Sequence, residues 1–501
     1  MRRALAGFVL LAAGLLSFGA SAVLRAEPAV LEVENESPLV TFRILFHTGA
    51  ASDPAGKQGL AALTAAMLSK GGSKEMSYDE IVEAFFPMAS AVSAQVDKEM
   101  TVFEGTTHVE NLDRYYGIVR GMLLDPGWRE DDFTRLKDEA VNFLRIGLRG
   151  NNEEELGKEF LYTRIYQDHP YGWHNSGTVA SLERLTIDDL KAFYQERYTA
   201  GNVVVGLAGG YPEGFAKQLA ADFSKLPKSE SGAQPEAVAL PTPRAPEKLN
   251  IKIIEKDTRG THVALGFAIH VNRSSPDWPA LKLVQSYLGQ HRSSKGRLFQ
   301  RIREVRGMNY GDYAYIEYFP RGMFQFQPDP NLGRRQQIFH MWIRPVEPRN
   351  GVFALRIALY ELDKLVREGI SEEAFESTRL FLSKYVNLVT QTQSEQLGYA
   401  LDSEYYGISD FNGFLKDALA KLTVEQVNQA IRKHLRSSDL DIVVITKDAE
   451  GFKKGLSSRR PSKIEYVSPK PKDILDEDKL IGKYKLDVGS VEIVPAATIF
   501  E

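Results

Sequence analysis

Two kinds of apolar periodicity alternate along the chain and predict an α+β fold. Apolar residues at every second position, or in short β-branched runs, predict strands over 40–47, 203–205, 262–270 and 442–445. Apolar residues at three- and four-residue spacing predict a helix over 354–368, and helices are also expected after the first strand of each half, at about 59–70 and 278–289. Because strands and long helices recur in both halves, we expect sheets that are covered by helices.

The two halves of the chain resemble one another. The segments Leu185–Leu190 and Leu422–Val427 lie 237 residues apart, and the same offset separates Tyr198 from Leu435. In both segments a Thr can cap a helix, with an acidic or amide side chain three residues later. The pattern predicts a duplicated α/β sandwich, in which each of two homologous lobes is an antiparallel sheet covered by helices. Two unrelated α+β domains with chance similarity are the alternative.

Shifts in composition divide the chain into segments. Residues 226–249 hold five prolines and few large apolar residues, which is typical of a semi-extended linker. The linker separates an N-terminal domain at 27–225 from a C-terminal domain at 250–450. A tail at 451–501 follows, and its apolar segment Val491–Pro495 is a candidate edge strand.

The N-terminus has the pattern of a secretory signal. Arg2 and Arg3 precede an apolar run over 4–18, and Ala20-Ser21-Ala22 forms a small-x-small cleavage site. The run is shorter than the about 20 residues that span a bilayer. We therefore expect residues 1–22 to be removed, leaving a periplasmic or otherwise secreted protein without a membrane span. An uncleaved anchor is the alternative.

Charge and cysteine content exclude several classes of function. The 501 residues include 62 Lys and Arg against 66 Asp and Glu, so the chain has no basic surplus for nucleic acid. It contains no cysteine, which excludes disulfides, thiolate catalysis and zinc binding by cysteine. A cysteine-free chain suits the oxidising periplasm, although many cytosolic proteins also lack cysteine.

The apolar helix at 59–70 carries the main resemblance to a known family. It follows a strand and a Gly-Ala-Ala-Ser-Asp-Pro-Ala-Gly-Lys loop at 49–57, and in this setting the chain resembles the pitrilysin/insulinase-like zinc peptidases. In that family the helix carries H-x-x-E-H, whose residues share one face and hold zinc and activate water. The matching positions here are Ala62, Ala65 and Ala66, which can do neither.

The remaining metal-site positions are also changed. The family's third zinc ligand is a Glu on a later helix, and the matching helix at about 132–147 has Asn142 and Phe143 there, with Glu139 out of phase. No two of the nine histidines lie three or four residues apart, at His47, His108, His169, His174, His262, His270, His291, His340 and His434. We therefore expect no zinc or other cofactor in this chain.

The resemblance extends over roughly residues 30–450 and includes a second functional unit. Residues 297–310 resemble the family's helix–glycine–strand unit, in which an Arg and a Tyr seven residues apart act on the substrate. Here these residues are Arg303 and Tyr310, and Gly307 lets the helix stop so that a strand carries Tyr310 back beside Arg303. Both side chains can donate to a carbonyl that becomes an oxyanion. A solvated Arg and a half-buried strand Tyr are the alternative reading.

The resemblance implies a division of labour between two chains. Some bacterial members of the family place zinc in one chain and the Arg/Tyr pair in another, and this sequence resembles the second kind. It implies the two-lobe fold of mitochondrial-processing-peptidase-like metallohydrolases, a zinc-bearing homologous partner, and a peptide or unfolded-protein substrate. A non-enzymatic binding or assembly subunit, like the related respiratory-complex core proteins, is the main alternative. A self-sufficient peptidase with an unrelated site has little support in the sequence.

Overall fold

The computed structural model describes residues 27–228, 237–458, 460–466 and 468–501. The predicted signal peptide, residues 1–22, lies outside these ranges. Of the helices within them, none is both long enough and apolar enough to cross a bilayer.

The structure contains two sheets, one in each half of the chain. The strands of the first half, called the N-lobe, are β1 (Ala29–Glu34), β2 (Leu39–Phe46), β3 (Ala91–Val96), β4 (Thr101–His108) and β5 (Val203–Gly209). The strands of the second half, called the C-lobe, are β6 (Leu249–Glu255), β7 (Thr261–Ile269), β8 (Asp312–Tyr315), β9 (Gln337–Val346), β10 (Asp441–Thr446) and β11 (Val488–Pro495). The sheet orders are β1-β5-β2-β4-β3 and β11-β6-β10-β7-β9-β8.

Helices cover both sheets. The N-lobe sequence forms α1 (Leu60–Lys70), α2 (Tyr78–Phe85), α3 (Leu112–Leu124), α4 (Glu130–Asn142), α5 (Glu153–Ile165), α6 (Val179–Arg184), α7 (Ile187–Arg197) and α8 (Phe215–Phe223). The C-lobe sequence forms α9 (Trp278–Gly289), α10 (Gly351–Glu368), α11 (Glu372–Val389), α12 (Gln393–Tyr406), α13 (Phe411–Lys421), α14 (Val424–His434), α15 (Ala449–Ser457) and α16 (Lys472–Lys483). Two π-helices add Phe143–Leu148 and Phe299–Glu304. The predicted two-lobed α+β class is confirmed.

The expectation of antiparallel sheets was wrong at one edge of each lobe. β1 pairs with β5 in parallel, and β6 pairs with β10 in parallel. The central pairs are antiparallel, as in β2 with β4 and β7 with β9. The first strand of each lobe is followed by more than a hundred residues before its neighbour, and such a long connection can return the chain in the same direction. The sheets are therefore mixed.

Local signals placed several helix ends correctly. The Thr186 hydroxyl accepts from the Asp189 amide at 3.2 Å and the Asp189 carboxylate accepts from the Thr186 amide at 3.0 Å. Thr423 and Gln426 form the same capping box in the C-lobe. Gly369 ends α10 with a φ of 74°, a conformation that favours glycine. These matching ends confirm the internal repeat at the level of local structure.

One helix from each half of the chain packs on the sheet of the other half. α5 belongs to the N-lobe sequence, yet it packs on β7 and β10 of the C-lobe. α12 belongs to the C-lobe sequence, yet it packs on β1, β2 and β5 of the N-lobe. Because each sheet needs a helix of the other half to cover it, the two lobes are interlocked.

The C-terminal tail also joins the lobes. β11 pairs in parallel with β6, which confirms the predicted edge strand. Beyond it, Ile499 and Phe500 are buried in the N-lobe core. The carboxylate of Glu501 lies 2.6 Å from Nη1 of Arg149. The tail is therefore part of the folded body.

Candidate functional site

The helix of the degenerate metal motif, α1, is fixed at its N-terminus by a carboxylate from the preceding loop. Asp53 accepts from the backbone amides of Gly59 at 2.7 Å and Ala61 at 2.8 Å. Burial raises the pKa of Asp53 to about 7, although these amides and Lys98 counter the rise. The loop and the helix thus have the arrangement that the sequence predicted, with no ligand atom on the motif face.

The three positions at which the family resemblance predicts a metal-binding face present methyl groups. Ala65 is fully buried, whereas Ala62 and Ala66, one turn apart, are half-buried. The third-ligand region follows at the end of α4, where Asn142 and Phe143 are exposed. Alanine and phenylalanine offer no lone pair for zinc, and an Asn amide is not among the usual zinc ligands, so these residues do not fit a zinc ion.

Other acidic or imidazole groups do not replace the motif. Glu139, the nearest carboxylate in the α4 sequence, is ion-paired with Arg135 at 3.0 Å on the surface. Across the described ranges, no group of three or more His, Cys, Asp or Glu residues could hold a metal ion. The absence of zinc from the protein itself remains a prediction.

We expect the purified chain to carry no stoichiometric zinc, because Ala62, Ala65 and Ala66 present only methyl groups at the predicted motif positions. Metal analysis of dialysed protein tests this, with a zinc peptidase that carries the intact H-x-x-E-H motif, purified in the same way, as the positive control. One tightly held zinc ion per chain would contradict the prediction. Restoring the motif as A62H, A65E and A66H should not give a working site, since a carboxylate at position 65 would be buried without supporting hydrogen bonds.

The structure brings Arg303 and Tyr310 together. The guanidinium carbon of Arg303 lies 5.2 Å from the centroid of the Tyr310 ring, a cation–π distance. Tyr310 is 78 % exposed and Arg303 is half-buried. Both side chains are therefore placed where a ligand from outside the chain can contact them.

The turn between them forms as predicted, with one correction. Gly307 has a φ of 67°, and its amide donates to the Arg303 carbonyl at 2.7 Å, which closes the helix. Tyr310 was expected on the strand, but it lies in the turn before β8. Asn309 explains this, because its side chain donates to the Asp312 carboxylate at 2.7 Å and to the Arg344 carbonyl at 3.0 Å. These bonds fix a tight turn that directs Tyr310 outward.

Among the described residues, the neighbouring arginines have acidic partners and Arg303 has none. Arg297 pairs with Glu361 at 2.8 Å, and Arg306 pairs with Asp478 of α16 at 2.8 Å. Arg301 is also ion-paired, to Glu361 and Glu477. The guanidinium of Arg303 makes no hydrogen bond or ion pair to any residue that the structure describes. Its charge is left available, while its neighbours hold the π-helix in place.

The two halves of the predicted site lie on separate elements. Ala62, Ala65 and Ala66 lie on α1 of the N-lobe, and Arg303 and Tyr310 lie between α9 and β8 of the C-lobe. No described side-chain contact joins the two groups. Within one chain, the structure therefore shows an Arg/Tyr pair and a separate motif face without ligands.

Two family models match most of the folded chain. Residues 29–178 match the model described as Insulinase (Peptidase family M16), and residues 184–382 match the model described as Peptidase M16 inactive domain. The chain belongs to the peptidase M16 family. The boundary between the two M16 models falls within the N-lobe, between β4 and β5.

Curated relatives and solved structures agree with this assignment. An uncharacterized zinc protease of Mycobacterium tuberculosis is 24% identical over 361 residues, which is 72% of this chain and 77% of that protein. A non-peptidase homolog of Helicobacter pylori is 20% identical over 428 residues, covering 84% and 91%. A peptidase M16 inactive domain from Pseudomonas fluorescens superposes with a TM-score of 0.71 at 24% identity, covering 84% of this chain and 95% of that chain.

The periplasmic protease PqqL from Escherichia coli is a further structural neighbour. Its TM-score is 0.67 at 16% identity, and the match covers 94% of this chain and 50% of PqqL. One M16 chain of the present length thus has the fold of half of PqqL.

A buried charged network between the lobes was missed by sequence analysis. Lys158 of α5 donates to Glu155 at 3.0 Å and to the Phe319 carbonyl at 2.9 Å. Tyr318 donates to Glu159 at 2.7 Å. Charged residues in a helix usually indicate a solvent-exposed face, so the sequence carries no local signal of their burial. In this M16 chain, the network belongs to the joint between lobes and not to the Arg303/Tyr310 pair.

Proposed function

We propose that this chain is the non-metal subunit of a heteromeric peptidase and supplies Arg303 and Tyr310 to a zinc-bearing partner with the same fold. The observation that carries the proposal is the state of Arg303. Arg297, Arg301 and Arg306 are each ion-paired, whereas Arg303 has no acidic partner among the described residues. Its guanidinium instead contacts the exposed Tyr310 ring. An arginine without an acidic partner can receive a substrate oxygen without first breaking an ion pair.

Arg303 and Tyr310 would act on the scissile carbonyl of a peptide. When water adds to the carbonyl carbon, the carbon–oxygen double bond becomes a single bond and the oxygen becomes negative. The Arg303 guanidinium and the Tyr310 hydroxyl would each donate a hydrogen bond to that oxygen, in a geometry held by the Gly307 turn. The partner's zinc would supply the activation of water, which this chain lacks the residues to perform.

An extended peptide or unfolded segment is the substrate class that fits the fold. β3 is an outer strand of the N-lobe sheet and packs beside α1. A peptide can add to such an edge through backbone hydrogen bonds, with little dependence on its sequence. In a partner with the same fold, the equivalent edge would hold the peptide beside the zinc helix.

Reconstitution tests the proposal directly. The chain would be mixed with the zinc-bearing subunit that co-purifies with it, and hydrolysis of an unstructured peptide would be measured. We expect activity from the mixture that neither chain has alone. If the zinc-bearing chain alone is as active as the mixture, the proposed role of this chain is wrong.

We also infer that the mature protein is periplasmic or otherwise secreted and begins near Val23. The support is the basic, apolar and Ala-x-Ala order of residues 1–22. N-terminal sequencing of the native protein should find the new terminus. An intact Met1 would contradict cleavage.

A non-enzymatic binding or assembly subunit is the second candidate. It is favoured by the similarity to a non-peptidase homolog and by a structural match, with a TM-score of 0.66 at 14% identity, to a chain of complex III2 from Candida albicans. That match covers 90% of this chain and 97% of the other. Isolation of a stable native complex that contains no zinc-bearing chain would favour this reading over the peptidase subunit.

A further inference from the structure

The turn that carries Tyr310 is bonded to strand β9 on both sides of that residue. Asn309 and Asp312 are buried, whereas Tyr310 between them is 78 % exposed. The Asn309 side-chain amide donates to the Asp312 carboxyl group at 2.7 Å and to the Arg344 carbonyl of β9 at 3.0 Å. Beyond Tyr310, the backbone amide of Arg344 donates to the Gly311 carbonyl at 3.3 Å. The exposed ring therefore stands on a segment that is held to the sheet before and after it.

The same segment is closely packed. The side-chain oxygen of Asn309 accepts from the Gly311 amide at 3.4 Å, so this one side chain makes three hydrogen bonds in the turn and to β9. A Cβ atom on Gly311 would lie 2.2 Å from the hydroxyl oxygen of the buried Tyr313, so there is no room for a side chain at that position. Loss of the Asn309 side chain would remove all three of its bonds and leave the bond from Arg344 to Gly311.

Asp312 takes part in the turn as an uncharged acceptor. One of its carboxyl oxygens accepts from Asn309, and the other is buried without a partner among the described residues. The Arg344 guanidinium is bonded to both oxygens of Glu154, at 3.0 and 3.2 Å. Burial raises the pKa of Asp312 well above its ordinary value, although the Asn309 bond and the Arg344 charge oppose the rise. A neutral carboxyl group still accepts through its carbonyl oxygen, which is what the Asn309 amide needs.

We propose that Asn309 and Asp312 are positioning residues for Tyr310, and that they fix the turn from which its hydroxyl reaches the substrate oxygen. This inference rests on the role proposed above for Tyr310. Both side chains are buried, so they act through Tyr310 and not by contact with the peptide. An exposed ring on a loose turn would reach the oxygen only part of the time, and a displacement of about 1 Å can lower a rate by about a hundredfold. Asn309 and Asp312 remove that freedom before the substrate binds.

The position of the Tyr310 ring can be measured without catalysis. The full chain would be labelled with 3-fluorotyrosine, and the Tyr310 signal in the fluorine NMR spectrum is the one that Tyr310→Phe removes. In Asn309→Ala this signal should narrow and move towards the shift of the free amino acid, because the ring leaves its contact with Arg303. Asn250→Ala is the matched control, since its amide donates to Asp441 at 2.6 Å elsewhere in the C-lobe. A Tyr310 signal that is unchanged in Asn309→Ala would overturn the proposal.

Kinetics of the reconstituted complex then show whether Asn309 acts through Tyr310. Asn309→Ala should lower kcat by at least about tenfold and change KM little, because the hydroxyl acts mainly in the transition state. In a Tyr310→Phe background the same change should have no further effect, since the donor that it positions is already gone. A full additional loss in the double variant would refute the positioning role. If Tyr310→Phe alone leaves kcat unchanged, the function proposed for Tyr310 has failed, and the fluorine signal still decides whether Asn309 fixes the ring.

Two variants of Asp312 separate its acceptor oxygen from its charge. Asp312→Ala removes the acceptor, and it should lower kcat by about the same factor as Asn309→Ala. Asp312→Asn keeps an acceptor oxygen in a side chain of the same shape, so most of the kcat lost in Asp312→Ala should return. Circular dichroism checks that both variants are folded. An equal loss of kcat in the two folded variants would contradict the role of Asp312 as a neutral acceptor.

Discussion

Tyr310→Phe should lower the kcat of the reconstituted complex by about tenfold to a thousandfold, the usual range for losing one oxyanion donor. The substitution removes a single hydroxyl and little volume, and Tyr310 is 78 % exposed, so the fold should not change. The measurement is steady-state hydrolysis of an unstructured peptide by the mixture of the two subunits, with each subunit at a fixed concentration.

Arg303→Ala should lower kcat by at least as large a factor as Tyr310→Phe. It should also raise KM if Arg303 holds the carbonyl before reaction. The N-lobe offers a matched control, because the Arg135 guanidinium carbon lies 5.4 Å from the Tyr78 ring centroid on the surface. Arg135→Ala and Tyr78→Phe should leave kcat unchanged. None of the four variants should weaken assembly, as judged by size-exclusion chromatography. Full activity of both Arg303 and Tyr310 variants would favour the scaffold reading.

Asp97→Asn should lower the free energy of unfolding by about 3–5 kcal/mol, because it leaves the Arg334 charge buried without an anion. Asp97 lies in the turn between β3 and β4 of the N-lobe, and Arg334 lies on the C-lobe connector. The Arg334 Nε atom donates to Asp97 at 2.7 Å, and both side chains are almost completely buried. The pair therefore joins the lobes in a place that water does not reach.

Chemical denaturation with urea measures this effect. Arg349→Ala, which breaks exposed ion pairs to Glu347 and Glu465 at 2.7 and 3.0 Å, is the control and should change stability little. Replacing both partners, as Asp97→Asn with Arg334→Met, should destabilise less than the sum of the two single changes, since no lone buried charge remains. Additive losses would show that the two residues act independently.

The same pair gives a direction for acid sensitivity. Burial by itself would raise the pKa of Asp97, but the Arg334 guanidinium outweighs it and the pKa is lowered from the ordinary value. A carboxyl with a lowered pKa stabilises the fold above its unfolded pKa of about 3.9, and this contribution is lost as the pH falls through the lower folded value. The free energy of unfolding of Asp97→Asn should therefore fall less steeply with decreasing pH than that of the unaltered protein.

Local features of this protein could be predicted from sequence because their causes lie within a few residues. The strand and helix periods, the capping boxes at Thr186 and Thr423, and the stop at Gly307 all depend on neighbours at most four residues away. The prediction that this chain holds no zinc depends on three alanines of one helix. The closeness of Arg303 and Tyr310 depends on one turn, which the family resemblance indicated.

Tertiary structure decided the features that depend on residues distant in sequence. The exchange of α5 and α12 between lobes, and the parallel pairing at one edge of each sheet, have no local signal. In the part of the chain that the structure describes, Arg303 has no acidic partner, whereas α16, which begins at Lys472, supplies acidic partners to Arg301 and Arg306. Tyr310 lies not on the strand but in a turn, where the Asn309 side chain donates to Asp312 and to the backbone carbonyl of Arg344. Such contacts form only after long loops close, so the periodicity of the sequence does not record them.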